Sequence, residues 1–257
     1  MTKAVLVDLR KCIGCRGCQV ACKRWNDREA EETTLNATPG SEWTNPSDLS
    51  PQTYTFIRFV GKGTGEEFQW HFAKVQCMHC HEPQCAAVCP TKALYKTTEG
   101  PVLWDPDLCI GCGYCLQGCP FNVPRFDHET KKIEKCTFCA ERLLKNLEPA
   151  CVQACPTDAL FMGEHDEIHN KVDEAEAAGA YVYGKEEAGG TSWIYVSDIP
   201  LTDLDFPKVA SKTPSANTID FLGKFAVVGV VGGAAIFALQ QYSERRKKIK
   251  ETSKEEV

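Results

Sequence analysis

Two near-identical stretches carry half of the cysteines of this chain: Cys12-Ile-Gly-Cys-Arg-Gly-Cys-Gln-Val-Ala-Cys22 and Cys109-Ile-Gly-Cys-Gly-Tyr-Cys-Leu-Gln-Gly-Cys119. Both have the spacing C-x2-C-x2-C-x3-C. The first three thiolates of such a loop can bind three irons of one [4Fe–4S] cluster. The fourth cysteine is expected to begin the following helix and to bind a second cluster. Gly14 and Gly111 suit the tight, left-handed turns that these loops need.

Two further cysteine groups complete the set. Group two has the spacing C-x2-C-x4-C-x3-C and consists of Cys77, Cys80, Cys85 and Cys89. Group four has eleven residues between its two pairs and consists of Cys136, Cys139, Cys151 and Cys155. Both groups end on Cys-Pro-Thr-x-Ala-Leu, so half of the pattern repeats. Such a repeat predicts duplicated two-cluster modules.

The sixteen cysteines fall into four groups of four, with none left over. Disulfides are disfavoured, because cysteines three residues apart in one loop seldom have the geometry to bridge. Zinc sites rarely need three cysteines at this spacing. We therefore predict four [4Fe–4S] clusters that exchange electrons.

The spacing leaves open which groups exchange their fourth cysteine. In a nested arrangement, the outer groups one and four exchange their fourth cysteines, and the inner groups two and three do the same. We call this arrangement nesting. The ligand sets predicted on this hypothesis are Cys12, Cys15, Cys18 and Cys155; Cys136, Cys139, Cys151 and Cys22; Cys77, Cys80, Cys85 and Cys119; and Cys109, Cys112, Cys115 and Cys89.

These pairings predict an α+β fold with two ferredoxin-like two-cluster modules related by a pseudo-two-fold axis. Strands are expected at 4–8, 54–60, 68–72, 102–105 and 191–196, and a helix at 167–178. The predicted divisions are module A (1–22 and 131–163), an insertion with a strand pair (23–76), module B (77–130), an extension on module A (164–218), a transmembrane helix (219–243) and a charged tail (244–257).

The transmembrane prediction rests on residues 221–242, which contain one charged side chain, Lys224. As a helix they would span ~33 Å, enough for a hydrocarbon core of ~30 Å. The basic run Arg245-Arg-Lys-Lys-Ile-Lys250 follows, so the positive-inside rule predicts a cytoplasmic tail and a cluster domain on the periplasmic side. The N-terminal residues lack an apolar signal-peptide segment, and export is expected to depend on a partner that carries a signal.

Composition and motifs exclude several other functions. The net charge of −6 gives no indication of nucleic-acid binding. The sequence has no nucleotide-binding glycine motif and no nucleophile–base arrangement. We therefore predict a non-catalytic chain without a small-molecule substrate of its own.

Several motifs are similar to those of one family: the first cysteine stretch, Asn45-Pro-Ser-Asp-Leu-Ser50, Cys77-Met-His-Cys80, Lys135-Cys-Thr-Phe-Cys139 and Glu148-Pro-Ala-Cys151. Together they resemble the iron–sulfur (beta) subunit of membrane-bound respiratory formate dehydrogenases. The cysteine groups alone also occur in subunits of nitrate, dimethyl sulfoxide and polysulfide reductases and of some hydrogenases. The insertion and the predicted anchor favour the formate dehydrogenase family over these others.

The resemblance implies two partners. A catalytic subunit with molybdenum or tungsten on molybdopterin would oxidise formate, and a membrane cytochrome b would receive the electrons and reduce quinone. The alternatives are the same role in a hydrogenase or one of those reductases and, in another class, a membrane-anchored zinc-binding scaffold.

Overall fold

The structure is a computed structural model that describes residues 2–33 and 43–213, all within one compact unit, Met1–Thr213. Its strands are β1 (Lys3–Asp8), β2 (Thr55–Lys62), β3 (Gln69–Gln76), β4 (Leu94–Lys96), β5 (Val102–Trp104), β6 (Arg125–Phe126), β7 (Ile133–Glu134), β8 (Leu160–Glu164), β9 (Tyr181–Tyr183) and β10 (Trp193–Ser197). Its helices are α1 (Gly17–Trp25), α2 (Gln84–Ala87), α3 (Tyr114–Gly118), α4 (Ala140–Leu143), α5 (Ala150–Gln153) and α6 (His165–Ala177).

The largest sheet connects the start of the chain with its later part. Its strand order is β8-β1-β10-β9, with β1 antiparallel to β8 and parallel to β10. Helix α6 covers one face through Ile168 and Val172, which pack with Ala4, Ile194 and Val196. The predicted strands at 4–8 and 191–196 and the predicted helix at 167–178 are thus confirmed, with small shifts at their ends.

The insertion forms the long antiparallel hairpin of β2 and β3, which confirms the predicted strand pair. β2 lies against α1, where the Gln19 side-chain oxygen accepts a hydrogen bond from the Ile57 amide at 3.3 Å. On the other side of the insertion, Glu134 forms an ion pair with Arg28 at 3.0 Å and accepts a hydrogen bond from Tyr54. The insertion is therefore connected to α1 and, through Glu134, to β7 just before group four.

The stretch between the hairpin and group four contains two small antiparallel pairs, β4 with β5 and β6 with β7. The predicted strand at 102–105 is confirmed by β5. Cysteines supply much of the core here: Cys85, Cys89 and Cys115 pack with Leu94 and Val102. Ile133 is also buried in this core, and Trp104 and Leu116 pack against it.

One local prediction is wrong: the fourth cysteine does not begin the following helix. Helix α1 already begins at Gly17, so that Cys22 lies in its second turn. Helix α3 ends at Gly118, and Cys119 follows it. The helix begins earlier because the loop residue just before it, Arg16 or Gly113, has a left-handed conformation that turns the chain into the helix.

The α+β class is confirmed, whereas the module boundaries and the pseudo-two-fold axis stay predictions. The predicted transmembrane helix (219–243) and charged tail (244–257) lie outside the described residues. Within 2–33 and 43–213, no helix is both long and apolar enough to cross a membrane.

Candidate iron–sulfur sites

The first cavity brings group one together with the last cysteine of group four. It is lined by the thiols of Cys12, Cys15, Cys18 and Cys155. Burial, together with the charge of Cys155, raises the pKa of Cys12. The remaining walls are mostly apolar, with Val7, Leu9, Ile13, Ile57 and Leu160 among them. Cysteines far apart in the sequence therefore face one another across a water-poor space.

A second cavity brings together the other cysteines of the same two groups. It is lined by Cys22, Cys136, Cys139 and Cys151. Burial raises the pKa of Cys22 to about 12, with Cys151 and Cys139 as the neighbouring thiolates that add to the effect. Trp193 also lines this cavity. Its indole nitrogen is fully buried and has no hydrogen-bond partner.

Groups two and three show the same exchange. Cys80 lies near Cys77, Cys119 and Cys85, whose negative charges add to burial in raising its pKa. Cys115 lies near Cys109, Cys112 and Cys89, and burial and these charges raise its pKa to about 11. Thiols of different groups therefore lie near one another here too, and the four ligand sets stay a prediction.

The thiols fit a metal cluster chemically. Burial raises the pKa of Cys18 to about 12 and that of Cys139 to about 11, so both are protonated at neutral pH without a metal. Bound iron would stabilise the thiolate form and release these protons. The buried, unpaired indole N–H of Trp193 is a donor suited to a cluster sulfur. Within the described residues, no three Cys, His, Asp or Glu side chains converge closely enough to hold a single metal ion.

Left-handed backbone shapes the loops around these cavities. Gly14 and Gly111 have φ values of +66° and +69°, as their place in the motif predicts. In group four, Phe138 and Cys139 have the left-handed conformation instead, with φ values of 58° and 47°. The Phe138 amide thereby donates a hydrogen bond to the Cys136 sulfur at 3.4 Å. Such amide–sulfur bonds raise the reduction potential of a cluster.

Replacing Gly111 by alanine is expected to destabilise the group-three loop strongly. A Cβ there would lie 2.2 Å from the carbonyl oxygen of Lys131, a backbone atom that cannot move alone. Gly113→Ala is the matched control, because Gly113 also has a positive φ but has open space around its Cβ position. We expect a cost of about 1 kcal/mol for the control and clearly more for Gly111→Ala. Thermal unfolding of the two variants under anaerobic conditions measures this, and equal melting temperatures would contradict it.

Sequence reasoning missed the buried cations beside the thiols. Lys74 lines both of the first two cavities. Lys96 donates a hydrogen bond to the carbonyl oxygen of Cys80 at 2.8 Å, and Lys135 donates one to that of Cys136 at 2.9 Å. For Lys74 there was a signal: it follows Trp70 and Phe72 on alternate positions of a strand, a face on which a lysine is unexpected.

Two histidines flank Cys80, and neither lies in a cysteine set. His79 is fully buried, accepts a hydrogen bond from the Val102 amide at 2.9 Å and stacks on Phe138. His81 lies beside His165, with ring centroids 5.2 Å apart. His79 therefore packs against the group-four loop through its ring contact with Phe138.

Sixteen cysteines in four groups, most of them buried within an α+β fold, define a multi-cluster iron–sulfur protein. In agreement, the sequence matches the profiles of two 4Fe-4S dicluster domains, over residues 11–93 and 68–165. The chain is 37% identical over 248 residues to the nitrate-inducible formate dehydrogenase iron-sulfur subunit of Escherichia coli K12, an alignment that covers 91% of this chain and 82% of that protein. It is also 37% identical to the formate dehydrogenase iron-sulfur subunit of Haemophilus influenzae, over 84% and 70% of the two chains.

The chain belongs to the family of formate dehydrogenase iron–sulfur subunits, as its motifs predict. A more distant similarity, 32% identity over 83% of this chain and 75% of the other, relates it to the hydrogenase-2 operon protein HybA of Escherichia coli O157:H7.

Proposed function

We propose that this chain carries electrons through four [4Fe–4S] clusters in series, from a molybdopterin-containing formate dehydrogenase subunit to a membrane cytochrome b. The observation that supports the proposal is that thiols of different cysteine groups lie near one another in a chain of this family. Such clusters, when bound, exchange one electron each without making or breaking a bond. The proposed ligand sets are those that nesting predicts.

The charge interactions between cysteines of different sets support one order along the path. Cys115 of the group-three set is the neighbour of Cys85 in the group-two set. Cys77 of the group-two set is in turn the neighbour of Cys136 in the group-four set. Cys151 of that set is the neighbour of Cys18 in the group-one set. The proposed order is therefore group three, group two, group four and group one.

Both ends of this proposed path open to the surface. Cys15 in group one and Cys112 in group three are the exposed members of their sets. The apolar side chains beside them, Ile13 and Ile110, are 59% and 67% exposed. Exposed apolar residues at a redox site suit contact with a partner protein. Each end of the path is thus available to one of the two proposed partners.

The proposed membrane arrangement rests on the sequence of residues 219–257. A helix at 219–243 would anchor the chain, with the tail at 244–257 in the cytoplasm and the clusters on the periplasmic side. A reporter enzyme that is active only in the periplasm, fused after Val257, tests the orientation. Activity of this reporter would place the C-terminus in the periplasm, which is the opposite of the proposed orientation.

The complex purified anaerobically through a tag on this chain tests the function. We expect about sixteen iron and sixteen sulfide per chain, after subtraction of what identified partners bind. We also expect a molybdopterin subunit and formate-dependent reduction of a quinone. A chain that ends after Thr213 is the matched control, and it is expected to leave the membrane fraction.

Three other outcomes would contradict parts of this proposal. Hydrogen replacing formate as electron donor would retain electron transfer and make the complex a hydrogenase, in line with the similarity to HybA. Activity with nitrate, dimethyl sulfoxide or polysulfide as acceptor would make it a reductase. Zinc in place of iron would remove electron transfer altogether and leave a zinc-binding scaffold.

A further inference from the structure

Lys74 is a buried lysine that lies between two of the cysteine sets. It is 2% exposed and lies near the end of β3, where it pairs with Ile57 of β2 in the long hairpin. Its side chain lines the cavity of Cys12, Cys15, Cys18 and Cys155, and also the cavity of Cys22, Cys136, Cys139 and Cys151. A single ammonium group therefore borders both sites.

Neutral groups hold this ammonium in place. Lys74 Nζ donates hydrogen bonds to Thr55 Oγ1 at 2.9 Å and to Gln76 Oε1 at 3.0 Å. It also lies 4.6 Å from the centroid of the Trp193 ring, a cation–π contact. Tyr195 extends the network, since it accepts a hydrogen bond from Gln76 and donates one to the Lys74 carbonyl. These contacts orient the charge without neutralising it.

A buried, unneutralised charge needs compensation from its surroundings. The ionisable groups around Lys74 are cysteines of both sets: Cys18, Cys22, Cys136 and Cys151. Lys74 is therefore placed to be the counter-charge of both sites once their thiols bind iron as thiolates.

We propose that Lys74 is a fixed positive charge that raises the reduction potentials of the two clusters held by groups one and four. This inference rests on the proposed function. Reduction adds one electron and thus one negative charge to a site, and no bond forms or breaks. Lys74 attracts the reduced form more strongly than the oxidised one, because the attraction grows with the negative charge. The same side chain therefore raises the potentials of both clusters.

The test is a redox titration of the complex followed by EPR, with the variant Lys74→Met. Methionine has a similar length and no charge, so it removes the charge and fills much of the space. We expect the reduction equilibrium constant of both clusters to fall at least tenfold, which is about 59 mV for one electron. Their signals are assigned beforehand by their loss in Cys155→Ser and Cys22→Ser.

Two further variants separate charge from structure. Lys74→Arg keeps the charge and is expected to retain both potentials. Lys96→Met removes a half-buried lysine whose charge acts on Cys80 and Cys77, members of another set. It is expected to leave the group-one and group-four potentials unchanged.

The outcomes distinguish failure of the inference about Lys74 from failure of the proposed function. Unchanged potentials in Lys74→Met, with all iron present, would overturn the inference and leave the proposed function intact. Loss of iron from Lys74→Met and Lys74→Gln but not from Lys74→Arg would also overturn it, because the charge would then serve cluster assembly. Absence of clusters from the unaltered chain would refute the proposed function instead.

Discussion

Replacing Cys22 by serine is expected to remove the cluster of group four and to leave that of group one in place. Cys22 follows the group-one loop in sequence, but its thiol lines the cavity of Cys136, Cys139 and Cys151. A serine hydroxyl is a poorer ligand for iron than a thiolate. The iron content should fall from about sixteen to about twelve per chain, or one [4Fe–4S] centre should convert to a form with altered EPR.

Cys155→Ser is the matched control for this variant. Cys155 follows group four in sequence and lines the cavity of group one, so it should affect the group-one cluster instead. In both variants the formate-to-quinone activity of the complex should fall to background, since one step of the path is lost. Loss of the group-one signal in Cys22→Ser would contradict the exchange between groups.

Removal of iron is expected to unfold part of the chain and leave another part intact. In the small core around β4 and β5, cysteines are as prominent as aliphatic side chains, as Cys85 and Cys115 illustrate. Without metal these thiols lose the bonds that tie α2, α3 and the strands together. The four-stranded sheet differs, because Trp193 and Tyr195 are fully buried among Val5, Val7 and other apolar residues.

Amide hydrogen exchange with and without an iron chelator measures this difference. Protection should be lost first in 94–104 and 114–118 and should persist in β1 and β10. Rebinding of iron and sulfide should restore the lost protection, which controls for damage by the chelator. Retained protection at 94–104 in the iron-free chain would mean that the apolar core suffices there.

Much of the fold could be predicted because it depends on local patterns. The strands β1, β2, β3 and β5 follow from alternating apolar and β-branched residues in short windows. The helix α6 follows from its composition, and the left-handed turns at Gly14 and Gly111 follow from the motif. The start of α1 was misjudged because the turn that precedes it falls on Arg16, a residue type with no preference for a positive φ.

The spacing of the cysteines in the sequence determined which thiols share a loop and therefore the kind of metal group they suit. Three thiolates within seven residues are close whatever the rest of the chain does. Only the tertiary structure decided which thiols of different groups lie near one another and which charge borders them. Cys12 lies near Cys155, and Lys74 lies near Cys18 and Cys136, because β1, the hairpin and the group-four loop pack together. Such contacts depend on the sum of many weak burial energies across the core, which no short stretch of sequence encodes.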